Sequence, residues 1–122
     1  MTERQILVVE DDQDLALLMR QSLSSAGYAC HVAIDAPQAM TFARQFKPAV
    51  VIMDFMFPSG GGASVHAAFR ASSYAAKTPI LILSAVPEDA VIKKIDMDGD
   101  TYYLEKPFRK ELLMKVLDQI LS

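Results

Sequence analysis

The chain reads as a doubly wound α/β fold in which five parallel strands alternate with five helices. Two patterns predict this. Five short strand-like runs alternate with segments of helical period, and three of the runs are continuously apolar: Ile6-Leu7-Val8-Val9, Val50-Val51-Ile52-Met53 and Ile80-Leu81-Ile82-Leu83. Unbroken apolar runs mark strands covered on both faces, whereas half-exposed strands alternate. A length of 122 residues is one domain's worth of chain, so residues 1–122 are expected to form a single unit.

Taken in order, the first strand is expected over Gln5–Glu10. The helix after it places Leu15, Leu18, Met19 and Leu23 on one face, and Gly27 sits where a helix C-cap is expected. A second strand, Tyr28–Ala33, leads to a helix capped by Asp35, with Pro37 in its first turn and Ala39, Ala43 and Phe46 on one side. The third strand, Ala49–Asp54, precedes an Ala/Ser-rich helix over roughly Ala63–Tyr74. After the fourth strand, Pro79–Ser84, a helix opens at Pro87-Glu88-Asp89, and Lys93 and Lys94 suit its last turn. The fifth strand covers Thr101–Leu104, and the last helix, Arg109–Leu121, turns Leu113, Val116, Leu117 and Ile120 inward. Right-handed crossovers then give a parallel sheet with helices on both faces, for which the flavodoxin-like order 2-1-3-4-5 is expected.

Composition narrows the function. The net charge is −3, with 15 acidic against 12 basic residues, and no basic run exceeds Lys93-Lys94, so direct nucleic-acid binding is not expected. No apolar run approaches the 18 or so residues needed to cross a bilayer, and Met1-Thr2-Glu3-Arg4 leads straight into a strand with no secretory apolar region. A lone Cys30 forms no internal disulfide, which suits a reducing compartment. The expectation is a cytoplasmic protein with no membrane partner. His31 and His66 read as exposed or packed side chains, Cys30 as a small packed residue, and the seven Met residues as core filler.

In the expected order the first and third strands are neighbours, and ligands bind beyond their carboxyl ends. The first strand ends in Glu10-Asp11-Asp12, the third in Asp54 and the fourth in Ser84, and the fifth leads to Lys106. Taken singly, each has an ordinary role: Asp12 as a helix cap, Asp54 as a turn residue, Ser84 as a cap hydroxyl, Lys106 as a solvated side chain. Their coincidence on one sheet edge is what points to a site. Two carboxylates about 4 Å apart repel by roughly 4 kcal/mol at an effective dielectric of 20. Three would offset much of a domain's usual stability of roughly 5–15 kcal/mol. Such a cluster needs raised pKa values or a cation, and hard oxygen ligands in an open cleft suit Mg²⁺.

The sequence resembles the receiver domains of two-component response regulators. The resemblance spans Ile6 to Leu121 and rests on four motifs in order: Ile6-Leu7-Val8-Val9-Glu10-Asp11-Asp12, Val51-Ile52-Met53-Asp54-Phe55-Met56-Phe57-Pro58, Pro79-Ile80-Leu81-Ile82-Leu83-Ser84-Ala85 and Tyr103-Leu104-Glu105-Lys106-Pro107-Phe108. It implies that Asp54 is the phosphoacceptor. It also implies Mg²⁺ held by Asp11 directly, Glu10 through water, Asp54 and the backbone carbonyl of Met56. Lys106 would pair with the phosphoryl group, Ser84 would be the switch hydroxyl, and Tyr103 the aromatic that reports the switch, leaving Tyr102 as the inward-packing ring of the pair. The phosphodonor would be the phosphohistidine of a sensor histidine kinase or phosphotransfer protein, in a two-component system or phosphorelay. Phosphorylation would change the surface of the fourth helix, fifth strand and fifth helix to control an output domain or protein, with homodimerisation on activation as one outcome. The domain would catalyse its own phosphorylation and dephosphorylation and would not otherwise be an enzyme. A sharp chain reversal at Lys106-Pro107 suggests a cis peptide bond. The sequence departs from the family pattern at Pro58-Ser59-Gly60-Gly61-Gly62 and at Met97-Asp98-Gly99-Asp100. Two rival readings are a phosphorylation-independent interaction module and a stand-alone aspartyl phosphatase. Met56 stands where the phosphatase would place a second acid.

Overall fold

A computed structural model of the protein describes residues 4–56 and 61–122. The expected loop at Pro58-Ser59-Gly60 lies outside the described residues. The chain alternates β1 (Gln5–Val9), α1 (Gln13–Ser25), β2 (Ala29–Ala33), α2 (Ala36–Phe46), β3 (Val50–Asp54), α3 (Gly61–Ala71), β4 (Ile80–Ser84), α4 (Glu88–Val91), β5 (Thr101–Glu105) and α5 (Lys110–Leu121). All neighbouring strands are parallel, in the expected order 2-1-3-4-5.

Alternation along each strand sends side chains to two separate cores. Leu7, Val9, Val51, Met53, Ile80 and Ile82 pack with Ala39, Ala43, Val65 and Phe69 of α2 and α3. Ile6, Val8, Val50, Ile52, Leu81, Leu83 and Leu104 pack with Leu23 of α1 and with Leu113 and Leu117 of α5. The unbroken apolar runs in β1, β3 and β4 follow from this two-sided burial.

The helix ends obey local chemistry. Asp12 caps α1 by accepting from the amides of Asp14 and Leu15. At the other end Gly27 has φ +94, its N–H donates to Ser24 O, and the Tyr28 N–H donates to Leu23 O. That pair of bonds is a Schellman closure, which favours glycine at the left-handed position. Asp35 caps α2 by accepting from Gln38 N.

Three expectations are corrected, and the shared apolar face of α1 divides between core and cleft. Within α1 it is Ala16 and Leu23 that are buried, while Leu15 and Leu18 are 45% and 60% exposed. Small Ala16 faces inward, and Leu15 and Leu18 instead border the cleft described below. Helix α3 ends at Ala71 rather than Tyr74, because the Ser72 hydroxyl takes the amides of Tyr74 and Ala75 into a turn. Helix α4 is one turn long. Lys93 and Lys94 lie in irregular turns beyond it, where the Lys94 amide bonds three residues back to Val91. Buried Val91 and Ile95 hold this stretch to the core. Tyr102 is the outward ring and Tyr103 the inward one, since alternation puts Tyr103 on the face of Ile80 and Ile82.

Candidate functional site

Register places the polar strand ends together. Val9 pairs with Met53, so Glu10 follows one strand spacing from Asp54, and Asp54 itself pairs with Leu83, next to Ser84. The chain stays tied beyond the strands: Glu10 N–H donates to Ala33 O, Phe55 N–H to Leu83 O and Lys106 N–H to Ser84 O. The Lys106–Pro107 bond is cis, as expected.

Asp54 is held by two donors. Lys106 Nζ lies 2.8 Å from Oδ2, and the Met56 backbone N–H donates to Oδ1 at 2.9 Å. The Asp54 side chain is only 16% exposed and that of Lys106 30%. The pair is partly desolvated but open at one end.

Glu10 is half-buried and accepts from the Asp12 amide at 3.2 Å. Burial pushes its carboxyl above the usual range. The Asp12 amide opposes this, while the charge of Asp54 and a hydrogen bond with Asp11 add to it. Asp11 is exposed. Among the described residues no three His, Cys, Asp or Glu side chains form a closed cage for a metal ion. The donor set is nevertheless all oxygen, and Glu10 carries an electrostatic penalty that a cation beside Asp54 would relieve. This chemistry fits Mg²⁺, which needs few protein ligands and keeps several waters.

Ser84 is fully buried, and its hydroxyl accepts the Val86 N–H at 2.8 Å. The Tyr103 hydroxyl donates to the Val86 carbonyl. Both side chains therefore hold the same residue, one through the peptide before Val86 and one through the peptide after it. They share the sheet face that carries Ile80 and Ile82, whereas Asp54 continues the opposite face of Val50 and Ile52.

Two features escaped the sequence reading. A cleft of about 660 Å³ runs from Glu10, Asp54 and Lys106 between α1 and α5, past Leu18, Met19, Phe108 and Leu113. The exposure of Leu15 and Leu18 follows from it. At the other edge of the sheet, Arg70, Asp98, Thr101 and His66 form a polar network. Only the polar tract before β5 hinted at it, since its partners lie about 30 residues away.

The fold and the acidic, lysine-bearing cleft define a doubly wound domain with its site at the carboxyl edge of the sheet. The sequence matches the response regulator receiver domain over residues 6–118, and the chain belongs to that family. It is 35% identical over 115 residues to the DNA-binding response regulator MtrA of Mycobacterium tuberculosis, covering 93% of this chain and 49% of that protein. It is 32% identical over 117 residues to the regulatory protein VanRB of Enterococcus faecalis, covering 95% of this chain and 51% of that protein. The chain thus spans about half the length of the curated relatives it matches. Among solved structures, the chemotaxis protein CheY4 of Vibrio cholerae superposes with a TM-score of 0.89 at 29% identity, covering 98% of this chain and 100% of that one. The receiver domain of a sensor histidine kinase from Pseudomonas aeruginosa, solved with a magnesium ion in its active-site cleft, gives 0.87 at 27% identity, with 98% of each chain covered. Among the described residues, no helix is long and apolar enough to cross a membrane.

Proposed function

We propose that the chain, taken over residues 1–122 as one receiver unit, is a phosphorylation-driven signalling switch whose acceptor is Asp54. The observation that carries this reading is the placement of the Asp54 carboxylate between the Lys106 ammonium and the Met56 amide, at the open end of a cleft. A carboxylate oriented by fixed donors is a competent nucleophile toward phosphorus. One Asp54 oxygen attacks the phosphorus of a partner's phosphohistidine. The P–N bond breaks, the imidazole leaves with the electron pair, and an acyl phosphate remains. Water later attacks the same phosphorus and returns inorganic phosphate and the free carboxylate. Lys106 shifts from the carboxylate toward the phosphoryl oxygens and balances their charge. Glu10, Asp11, Asp54 and the Met56 carbonyl would hold Mg²⁺, which when bound supplies further charge neutralisation.

Output rests on Ser84. Its hydroxyl accepts the Val86 amide and keeps its own O–H free to donate, so moving Oγ within reach of a phosphoryl oxygen would draw it away from Val86. Tyr103 already lies inward on the Val86 carbonyl, so the ring does not need to travel. The event is a loosening of the loop after β4, which reshapes the surface of α4, β5 and α5 by moving its α4 side against the strand. Phosphorylation biases this equilibrium by its differential contacts with the two states. The partners are a sensor histidine kinase or phosphotransfer protein and a downstream output domain or protein, in the cytoplasm, with homodimerisation as one form of output. A docking module that works without phosphorylation has no need of the Lys106–Asp54 pair.

Incubation with a small-molecule phosphodonor and Mg²⁺, followed by intact-mass measurement, tests the reading. Wild type should gain one phosphoryl group, and Asp54→Asn should stay folded and unmodified. A phosphorylated Asp54→Asn protein would overturn the assignment.

A further inference from the structure

The segment joining β4 to β5 is fastened at both ends, and the two fastenings differ in kind. At its start, Val86 is held by hydrogen bonds to the Ser84 and Tyr103 hydroxyls, both neutral groups. At its end, Asp98 is held by a charged, cross-linked network. Arg70 Nε donates to Asp98 Oδ2 at 2.7 Å, and the Thr101 hydroxyl and the Asp100 amide donate to Oδ1 at 2.8 and 2.9 Å. Because the Thr101 hydroxyl gives its proton to Asp98, it must accept from His66 Nε2, 2.8 Å away, which assigns the proton of that imidazole to Nε2. His66 is 3% exposed, and burial followed by the nearby Arg70 charge keeps it neutral, so its 4.0 Å approach to Asp98 is not an ion pair.

Arg70 ties this end to more than the loop. Its Nη1 donates to Thr78 O at 2.7 Å and its Nη2 to Asp100 O at 3.0 Å. The Asp100 carbonyl also accepts the Ile80 amide at 2.9 Å, where β4 begins. One guanidinium therefore fastens α3, the approach to β4 and the entry to β5. Charge-assisted, multidentate bonds of this kind are about twice as strong as neutral ones. Between the two fastenings lie a single helical turn and irregular turns, with Val91 and Ile95 as the buried contacts.

We infer that the Arg70–Asp98–Thr101–His66 network is a fixed anchor that confines the switching motion to residues 85–97 and keeps the start of β5 stationary. The inference rests on the switch reading above and extends it to a part of the molecule that never touches the phosphoryl group. Movement begins at Val86, where the bonds are neutral and exchangeable, and stops at Asp98, where they are charged and shared. The anchor makes the segment a strap with one releasable end, and Arg70 and Asp98 are positioning residues for the signal.

Hydrogen exchange read by mass spectrometry tests this on the intact chain, with beryllofluoride and Mg²⁺ as the phosphoryl mimic. Without the mimic, Asp98→Asn should raise exchange in peptides covering 96–101 by roughly tenfold or more, since local opening is limited by such contacts. Peptides from β1 and β3, which open only with the whole domain, should rise by no more than the loss of global stability accounts for. Unaltered exchange at 96–101 would overturn the anchor. With the mimic, wild-type peptides over 85–95 should change while those over 98–104 do not, and in Asp98→Asn the change should spread into 98–104. A wild-type response at 98–104 equal to that at 85–91 also overturns it. A response nowhere in the wild type would instead refute the switch reading, and the arm without mimic would then decide the anchor alone. Arg70→Gln should reproduce the Asp98→Asn pattern. If it unfolds, Thr101→Val, which removes the shared hydroxyl while keeping the side-chain shape, replaces it.

Discussion

Asp54 and Lys106 form a pair whose members are both partly withdrawn from water, so its charges are less screened than those of a surface ion pair. The lysine fixes one Asp54 oxygen and, in the reading proposed here, would turn to the phosphoryl oxygens. Lys106→Ala should leave a folded protein, because the Met56 amide still holds Asp54. Phosphorylation by a small-molecule donor should slow by about a hundredfold, the usual effect of removing one preorganised donor. A rate within a factor of about three of wild type, by timed intact-mass measurement, would remove Lys106 from the chemistry. The neighbouring acids make a separate claim. Millimolar Mg²⁺ should raise the thermal midpoint, because a ligand bound only by the folded state stabilises it by about 1.4 kcal/mol at ten times its Kd. Asp11→Ala should lose most of that shift, and a wild-type melting curve indifferent to Mg²⁺ would count against the metal site.

At the scale of elements, β3 and α3 meet at a contact that would crowd any side chain. A Cβ on Gly62 would sit 3.0 Å from Phe55 Cα and 3.1 Å from Asp54 O, both backbone atoms that cannot swing aside. Gly62→Ala should therefore destabilise the domain by about 1–3 kcal/mol and displace the end of β3, so that phosphorylation slows as well. Gly99→Ala is the control: a Cβ there meets nothing within 4 Å, and stability should be unchanged. Thermal melts and phosphorylation rates of the two variants decide this, and equal behaviour would refute the close-contact argument. Glycine's role at position 62 is an example of what the sequence does not display. Local patterns do show: the apolar runs of β1, β3 and β4, the Asp12 and Asp35 caps and the Gly27 closure are written within a few residues, and all stand where expected. So do the strand ends that carry Glu10, Asp54, Ser84 and Lys106, because strand order alone brings them to one edge. The errors fell where distant groups decide. Leu15 and Leu18 do share a face with Met19 and Leu23, but nothing local shows that the α1–α5 cleft leaves them exposed. The choice between Tyr102 and Tyr103 depends on which sheet face the neighbouring strand buries.

Across the whole molecule, Asp98 joins α3 to the entry of β5, and its ionisation links that long-range stitch to global stability. Burial alone would raise its carboxyl. Hydrogen bonds from Arg70, Thr101 and the Asp100 amide, with the Arg70 charge, outweigh burial and hold it at about 2, against an ordinary 3.8. Facing it are Arg70 and His66 from α3, with the Thr101 hydroxyl and the Asp100 amide from the entry to β5. A folded-state pKa below the unfolded one means that the unfolded chain takes up a proton first as pH falls. The contribution is therefore complete above about pH 4 and disappears as pH drops from there through about 2. Because the Asp98 side chain is 30% exposed, solvent screening limits the carboxylate's share to about 1 kcal/mol. Asp98→Asn should accordingly melt below wild type at pH 7, and the gap between the two should narrow progressively between pH 4 and pH 2. Both proteins lose their other carboxylate interactions over the same range, so the difference between the two curves isolates Asp98. Arg70→Ala should cost more at neutral pH, about 3 kcal/mol, because it leaves Asp98 and the Thr78 and Asp100 carbonyls without their shared donor. A gap between wild type and Asp98→Asn that stays constant from pH 7 down to pH 2 would show that Asp98 acts through packing rather than through its charge.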